Sequence, residues 1–206
     1  MNRKSDYKIL DILLNRWSPR AMSGKQLSDE RLNTLFEAAR WAPSSYNNQP
    51  WHFIYAKRDT VSWQKLFNLL VPANQSWAKD AAVLMVLISH NTFSYNNKPS
   101  RTHTFDTGSA WENLALQGSA MDLVVHGMEG FDYDRAKKDL HIPEDYTVEA
   151  MIAVGFPGPV ENLPQDLRAR EVPSDRKKIS EFISEGVFKE DKNNNHNEAA
   201  DVYRNR

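Results

Sequence analysis

From Ala81 to Ile88 the chain reads Ala-Ala-Val-Leu-Met-Val-Leu-Ile, eight apolar residues without a break. A strand wetted on one face alternates apolar and polar residues, so an unbroken run predicts a strand covered on both faces. Any fold for this chain then needs an interior sheet with material packed against both sides. Two other segments read as strands, 52–57 and Thr147–Phe156, and helical patterns separate the three. With the helical share the larger, the expected architecture is an α+β or α/β layered domain.

The helical patterns carry recognisable ends. Tyr7–Leu14 predicts a short amphipathic helix with Ile9, Leu10, Leu13 and Leu14 on one side, ended before Pro19, which disfavours helix at Ser18. Ser28 is placed as N-cap of a second helix, with Asp29 and Glu30 in its first turn and a stripe of Leu32, Leu35, Phe36 and Ala39. Asp59 or Thr60 caps a third, holding Trp63, Leu66, Phe67 and Leu70. Pro72 is expected to stop it, and Asn74-Gln75-Ser76 to form a polar turn. His90–Ser100 reads as a mobile polar linker. Thr104–Met121 predicts a long helix with a seam of Phe105, Trp111, Leu114, Ala115, Gly118 and Met121, apolar over enough of its girth for the core or a subunit interface. Leu123-Val124-Val125 leads into a loop, Gly127–Phe131, and Asp132 caps a brief helix, Tyr133–Leu140. Ser174 is expected to cap a last helix, Asp175–Ser184. No repeat or composition break divides the chain, so residues 1–188 are expected to form one domain, with a polar tail at 189–206.

Composition narrows the function classes. With 206 residues, 40% hydrophobic and 26% charged, the chain has the make-up of a folded globular protein. A formal charge of −1 gives no general pull toward nucleic acid or anionic membrane. The absence of cysteine excludes disulfides, thiolate nucleophiles and Cys-ligated metals. Met1–Asp6 lacks the apolar run of a signal peptide and no stretch reaches membrane-spanning length, so the expected location is the cytoplasm. Six histidines lack metal-ligand spacing, and neither a Gly-x-Gly-x-x-Gly fingerprint nor a Gly-x-Ser-x-Gly elbow is present.

Three constellations remain. Arg16, Ser18 and Arg20 set two guanidinium forks around a hydroxyl, a clamp for phosphate or carboxylate. Arg168 and Arg170, read as extended chain, point the same way and form a second clamp. The loop Pro43-Ser44-Ser45-Tyr46-Asn47-Asn48-Gln49-Pro50 is held in shape by prolines at both ends and filled with hydroxyl and amide groups, which suit a polar planar ring. Composition alone also describes an ordinary helix-to-strand connection there. Glu129, between glycines, is a candidate general base or simply a loop residue. A phosphorylated ligand with a polar ring would use all of these groups.

The order and wording of these pieces resemble the nitroreductase family of FMN-dependent oxidoreductases, over roughly Ile9–Ile183. The resemblance is carried by Arg16-x-Ser18-x-Arg20, by Ala42-Pro43-Ser44-Ser45-x-Asn47-x-Gln49-Pro50-Trp51, by Asp106-x-Gly108, by Glu129-Gly130-Phe131 and by Arg168-x-Arg170. It implies an α+β fold with a central mixed sheet flanked by helices, in an intertwined homodimer whose two flavin sites are shared between subunits. By the same resemblance Arg16, Arg168 and Arg170 grip the FMN phosphate, and Ser18 and Arg20 contact the ribityl chain and ring edge. Pro43, Ser44, Ser45, Asn47 and Gln49 reach the flavin from the other subunit, Asn74 adds a polar contact, and Glu129 and Gly130 lie beside N5. No side chain is assigned as catalytic and no metal is expected. The implied activity is ping-pong hydride transfer from NAD(P)H through flavin N5 to a nitroaromatic, quinone or similar small electrophile. The alternative keeps the FMN site but gives it other flavin chemistry (flavin or enone reduction, dehalogenation) or a storage role. Tyr46 stands at a position often small in that family and has no assigned role.

Overall fold

The structure, a computed structural model, describes residues 3–189 in two compact units that divide between Pro173 and Ser174. In the first unit four strands form one sheet, in the order β1 (Trp51–Lys57), β2 (Val83–His90), β4 (Tyr146–Gly155), β3 (Val124–Met128). Every pairing is antiparallel, where a mixed sheet was expected. The reason lies in the topology. β2 and β3 run the same way and are linked through the long helix α5 (His103–Ala120), but β4 inserts between them.

Both faces of β2 are covered, as its apolar run demands. Leu84, Val86 and Ile88 join a core with Leu66 of α3 (Trp63–Phe67), Trp77 of α4 (Pro72–Ala78) and Ala136 of α6 (Tyr133–Asp139). Val83, Met85 and Leu87 join a second core with Leu32 and Leu35 of α2 (Asp29–Arg40) and Leu114 of α5. Each such side chain contributes about 1.5–3 kcal/mol by leaving water. In β4, Met151 and Ala153 face the first core, Ile152 and Val154 the second. That alternation breaks at one place. Leu87 pairs with Ala150 and Ile88 with Val148, so Glu149 is the extra residue of a β-bulge.

Local signals explain most of the elements and their departures from expectation. The Ser28 side chain accepts from the Arg31 N–H, and Asp132 accepts from the Arg135 N–H, so both N-caps form as expected. Pro72 does not stop a helix but begins one, because the first helical position needs no N–H. Asn74, Gln75 and Ser76 therefore lie in α4 rather than in a turn. Gly127 and Met128 belong to β3, an edge strand whose His-Gly interruption hides it in the sequence. α1 is only Asp11–Asn15, and Ile9, Leu10 and Leu13 are exposed rather than packed. His90–Ser100 is built rather than loose: Phe93 N–H donates to Lys98 O, Ser100 N–H to Asn91 O, and Asn91 N–H to Asp145 O. Phe105, assigned to the buried seam of α5, is 77% exposed.

In the second unit, the helix expected at Asp175–Ser184 is reduced to a single turn, Ile179–Glu181. Its N-terminus is capped by Glu181, whose side chain accepts from the Lys178 N–H, and not by Ser174. From residue 190 onward the expected polar tail lies outside the described residues.

Helix α5 meets β3 so closely that a Cβ on Gly118 would stand 2.3 Å from Val125 Cγ2. Val125 is β-branched and buried, so it has no easy retreat. Gly118→Ala is expected to lose about 1–3 kcal/mol to overpacking, against about 1 kcal/mol gained in helix propensity. Urea unfolding should show net destabilisation, and adding Val125→Ala should relieve part of it, giving a non-additive double-mutant cycle.

Candidate active site

Where the apolar length of β2 and β4 ends, the second face of the sheet opens into a cavity of about 620 Å³. Its wall joins five parts of the chain: Arg16 and Ser18 after α1; Leu87 of β2; Thr104, Thr107, Gly108 and Trp111 of α5; Gly127, Met128, Glu129 and Tyr133 around the end of β3; and Glu149, Ala150 and Ile152 of β4. This is the size of a pocket for a cofactor or small substrate. The wall is chemically divided, with Leu87, Trp111, Ala150 and Ile152 apolar, Arg16 cationic, and Glu129 and Glu149 acidic.

The loop bearing Arg16 and Ser18 is held from several directions. The Arg16 guanidinium donates to Ser18 Oγ (3.3 Å) and lies 3.6 Å from Glu112 of α5. Buried Glu171 accepts from the Arg20 N–H (2.5 Å) and the Ala21 N–H (2.8 Å), and its other oxygen lies 3.7 Å from the Arg20 guanidinium. His126 of β3 packs on Trp77, with ring centroids 4.6 Å apart, and its Nδ1–H donates to Pro19 O at 2.9 Å. Burial pulls the His126 pKa down, as does the nearby Arg20 charge; the bonds to Pro19 and Ser18 and the Glu171 charge oppose this only in part. Glu171 and His126 were not among the sequence candidates.

Of the sequence candidates, Arg16, Ser18 and Glu129 line the cavity. Arg20 sits beside them, engaged by Glu171. Asn74 donates from Nδ2 to Gly130 O at 3.0 Å, and a Cβ on Gly130 would meet that same amide at 2.7 Å. Both therefore brace the Glu129 turn from behind and are not in the lining. Arg168 ends a short helix, α7 (Gln165–Arg168), and is spent on its own surroundings, donating to Leu163 O and Glu161 O. The extended chain expected for Arg168-x-Arg170 is not present, so alternation does not align the two side chains.

Pro43, Ser44, Ser45, Asn47 and Gln49 do not line this chain's cavity. Their loop is nonetheless tightly specified. Buried Asp106, in the first turn of α5, accepts from the Ser45 N–H at 3.0 Å. The Gln49 N–H donates to Ser44 Oγ, and Gln49 Nε2 donates to Asn47. Tyr46, Asn47 and Gln49 all have positive φ, a conformation costing about 1–3 kcal/mol at a non-glycine residue. The Tyr46 ring meets Phe93 edge-on at 5.6 Å, and Asn48 bonds Thr92 and Ser94, so this loop and the 90–100 segment form one surface.

The cavity also holds residues the sequence did not single out. Thr107 Oγ1 is buried and has no hydrogen-bond partner among the described residues. Burial, with the charges of Glu129 and Glu149, raises the pKa of Tyr133 and keeps its hydroxyl protonated. Glu149 had a signal, being the one charge within the apolar stretch Val148–Val154.

A helix-flanked antiparallel sheet with a divided cavity at the end of its central strands defines a small-molecule-binding enzyme scaffold. The sequence matches the nitroreductase family over residues 13–156, and the chain belongs to that family. A solved oxidoreductase containing FMN shares 43% identity and a TM-score of 0.88, over 92% of this chain and 97% of that one. A protein of Archaeoglobus fulgidus, provisionally named an NADH dehydrogenase/NAD(P)H nitroreductase, is 28% identical over 72% of this chain and 84% of its own. A provisionally named nitroreductase of Desulfovibrio desulfuricans, solved with FMN, has the same fold, with TM-score 0.68 at 23% identity over 90% of this chain and all of its own.

The lowered pKa of His126 makes a stability prediction. The folded protein binds the proton less well than the unfolded chain, so the contribution is complete above the unfolded value of about 6.5 and is lost as pH falls from there through the folded value. His126→Asn keeps an N–H donor for Pro19 but does not titrate. The urea midpoint of the wild type should fall more steeply below about pH 6.5 than that of the variant.

Proposed function

We propose that this chain is an FMN-dependent NAD(P)H oxidoreductase acting on a small electrophile such as a quinone or nitroaromatic. The observation that carries it is the divided cavity, in which one cation, an apolar wall and an unpartnered buried hydroxyl converge. That donor set fits FMN. Arg16 and Ser18 would hold its polar end, Trp111, Leu87 and Ile152 would flank its ring system, and Thr107 would gain the partner it lacks. When bound, FMN would supply two-electron redox chemistry, hydride exchange at N5 between NAD(P)H and the acceptor. Arg16 would bring a fixed positive charge to that end, while Glu129 and Gly130, braced by Asn74, would lie along one edge of the ring. Arg20, Arg168 and Arg170 are proposed to add to the cationic field around the phosphate rather than to close on it as a pair. The proposed setting is the cytoplasm; among the described residues no helix is long and apolar enough to cross a membrane.

Two copies are proposed to complete each site. Within its own chain the Pro43–Gln49 loop has no place in the cavity, yet it is strained into one shape and bonded there. Around it Trp41 is 73% exposed and Tyr46 80%, and Phe105 stands open at the start of α5. A partner covering these rings would bring Ser44, Ser45 and Asn47 to the second cavity.

Protein incubated with FMN and freed of excess should stay yellow, and NADH or NADPH should bleach it without oxygen; a colourless protein overturns the assignment. Arg16→Ala should weaken FMN binding about ten- to hundredfold, the loss of one charge-assisted bond, with the fold intact by circular dichroism. Mixing Arg16→Ala chains with Asn47→Ala chains should restore one sound site per heterodimer. Flavin titration of the mixture reads this directly, and absence of recovery would refute sites shared between chains.

A further inference from the structure

Beside the cavity lies a second polar constellation that flavin binding does not require. Ser89 of β2 is fully buried, and its hydroxyl donates to Glu149 Oε1 at 2.5 Å. Ser89 Oγ also lies 2.7 Å from Nδ1 of His103, at the start of α5. A hydroxyl has one proton, and here Glu149 receives it, so the imidazole must be the donor to Ser89. His103 Nδ1 is 3.8 Å from the carboxylate itself, so Ser89 is the bridge. The sequence of groups is thus His103 Nδ1–H to Ser89 Oγ–H to Glu149. At one end 19% of the His103 side chain remains exposed, and at the other Glu149 lines the cavity.

Geometry excludes the hydrolase alternative. A serine nucleophile needs an open face and a carboxylate behind its histidine, whereas Ser89 is sealed and the carboxylate is on its far side. The bulge says more. Without it Glu149 would point toward the first core, opposite Ala150; with it both face the cavity, and Val148 returns to the first core. Bulges of this kind re-aim side chains next to active sites.

We propose that His103, Ser89 and Glu149 form a proton relay from solvent into the cavity, serving the reduction of the acceptor. The proposal rests on the oxidoreductase reading above. A quinone becomes a hydroquinone by gaining two electrons and two protons. Hydride delivers both electrons and one proton, so the other proton must come from elsewhere. Protonated Glu149 gives it to the acceptor oxygen. Ser89 passes its hydroxyl proton to the carboxylate and takes the Nδ1 proton of His103 as Nε2 gains one from water; return of the ring proton to Nδ1 by exchange with water, and of the hydroxyl toward Glu149, resets the relay. One proton enters for each acceptor reduced, and no bond to carbon changes within the relay. Imidazole suits the outer position because one ring nitrogen can take a proton while the other gives one up. Glu149 shares the cavity with Arg16 of the N-terminal loop (itself paired with Glu112 of α5), with Glu129 after β3 and with Tyr133 of α6.

The test separates the two half-reactions on FMN-loaded protein by stopped flow, in water and in heavy water, across pH. Glu149→Gln should slow reoxidation by benzoquinone about a hundredfold, the range of a lost general acid. Ser89→Ala should slow it about tenfold and abolish its solvent isotope effect. Acetic acid should restore rate to Glu149→Ala, which a purely structural carboxylate would not allow. Independently of turnover, ring-nitrogen NMR should find neutral His103 protonated at Nδ1 in the wild type and moved toward Nε2 in Ser89→Ala. Equal reoxidation rates and isotope effects in all variants, or an unchanged ring-nitrogen signal, overturn the relay. If NAD(P)H fails to bleach the wild-type flavin, the function reading falls instead, and the ring-nitrogen signal still decides whether the relay exists.

Discussion

Everything in the first unit hangs on a pair of strands, β2 and β4, that have no wet face. Val83 to Val86 are completely buried, and Met151 to Val154 beside them are as well. A pair so enclosed cannot slip register, because a shift of one residue exchanges the side chains of two differently shaped cores. Those strands are therefore a rigid platform, and chemistry can only be placed where their apolar character ends. It ends close together on the two, at Ser89 and at Glu149, which are hydrogen-bonded to each other. The cavity occupies that margin, so its floor inherits the rigidity of the core while its rim is polar.

Rigidity also reaches the loops, by polar ties rather than by packing. His126 and Glu171 fix the backbone at Pro19, Arg20 and Ala21, and so hold the turn that presents Arg16 and Ser18. Asn74 does the same for Gly130, and Asp106 for Ser45. Glu171 and Asp106 do this from buried positions. A site whose first contacts are held this way spends less of its binding free energy on ordering.

The sequence was most informative where one interaction sufficed. The Ser28 and Asp132 caps, the covered strand and the order of the family motifs could be read because each depends on residues close together in the chain. Readings failed where a distant partner decides. Pro72 could end one helix or begin the next, and the choice depends on where Trp77 is buried. β3 offers only Val124 and Val125 before its glycine, and becomes a strand because β4 presents an open edge. Arg168-x-Arg170 alternates only if extended, and the α7 turn removes that premise. Within the site, Arg16, Ser18 and Glu129 were visible as charge or hydroxyl in loops. Glu149 was not singled out: it stands as a charge in an apolar strand, but its direction depends on a bulge no local pattern shows.

The Pro43–Gln49 loop poses the remaining physical question, since three left-handed non-glycine residues cost several kcal/mol together and the cavity of their own chain gains nothing from them. Ordinary connections relax such strain by substitution with glycine. Here the strain is balanced by the Asp106 bond, by the bonds between Ser44, Asn47 and Gln49, and by Tyr46 resting against Phe93. Those ties fix which way Ser44 and Asn47 present their polar atoms before any partner arrives. A loop held open in advance can meet a second surface without an ordering cost. The exposed aromatic rings beside it would serve the proposed shared site in the same way.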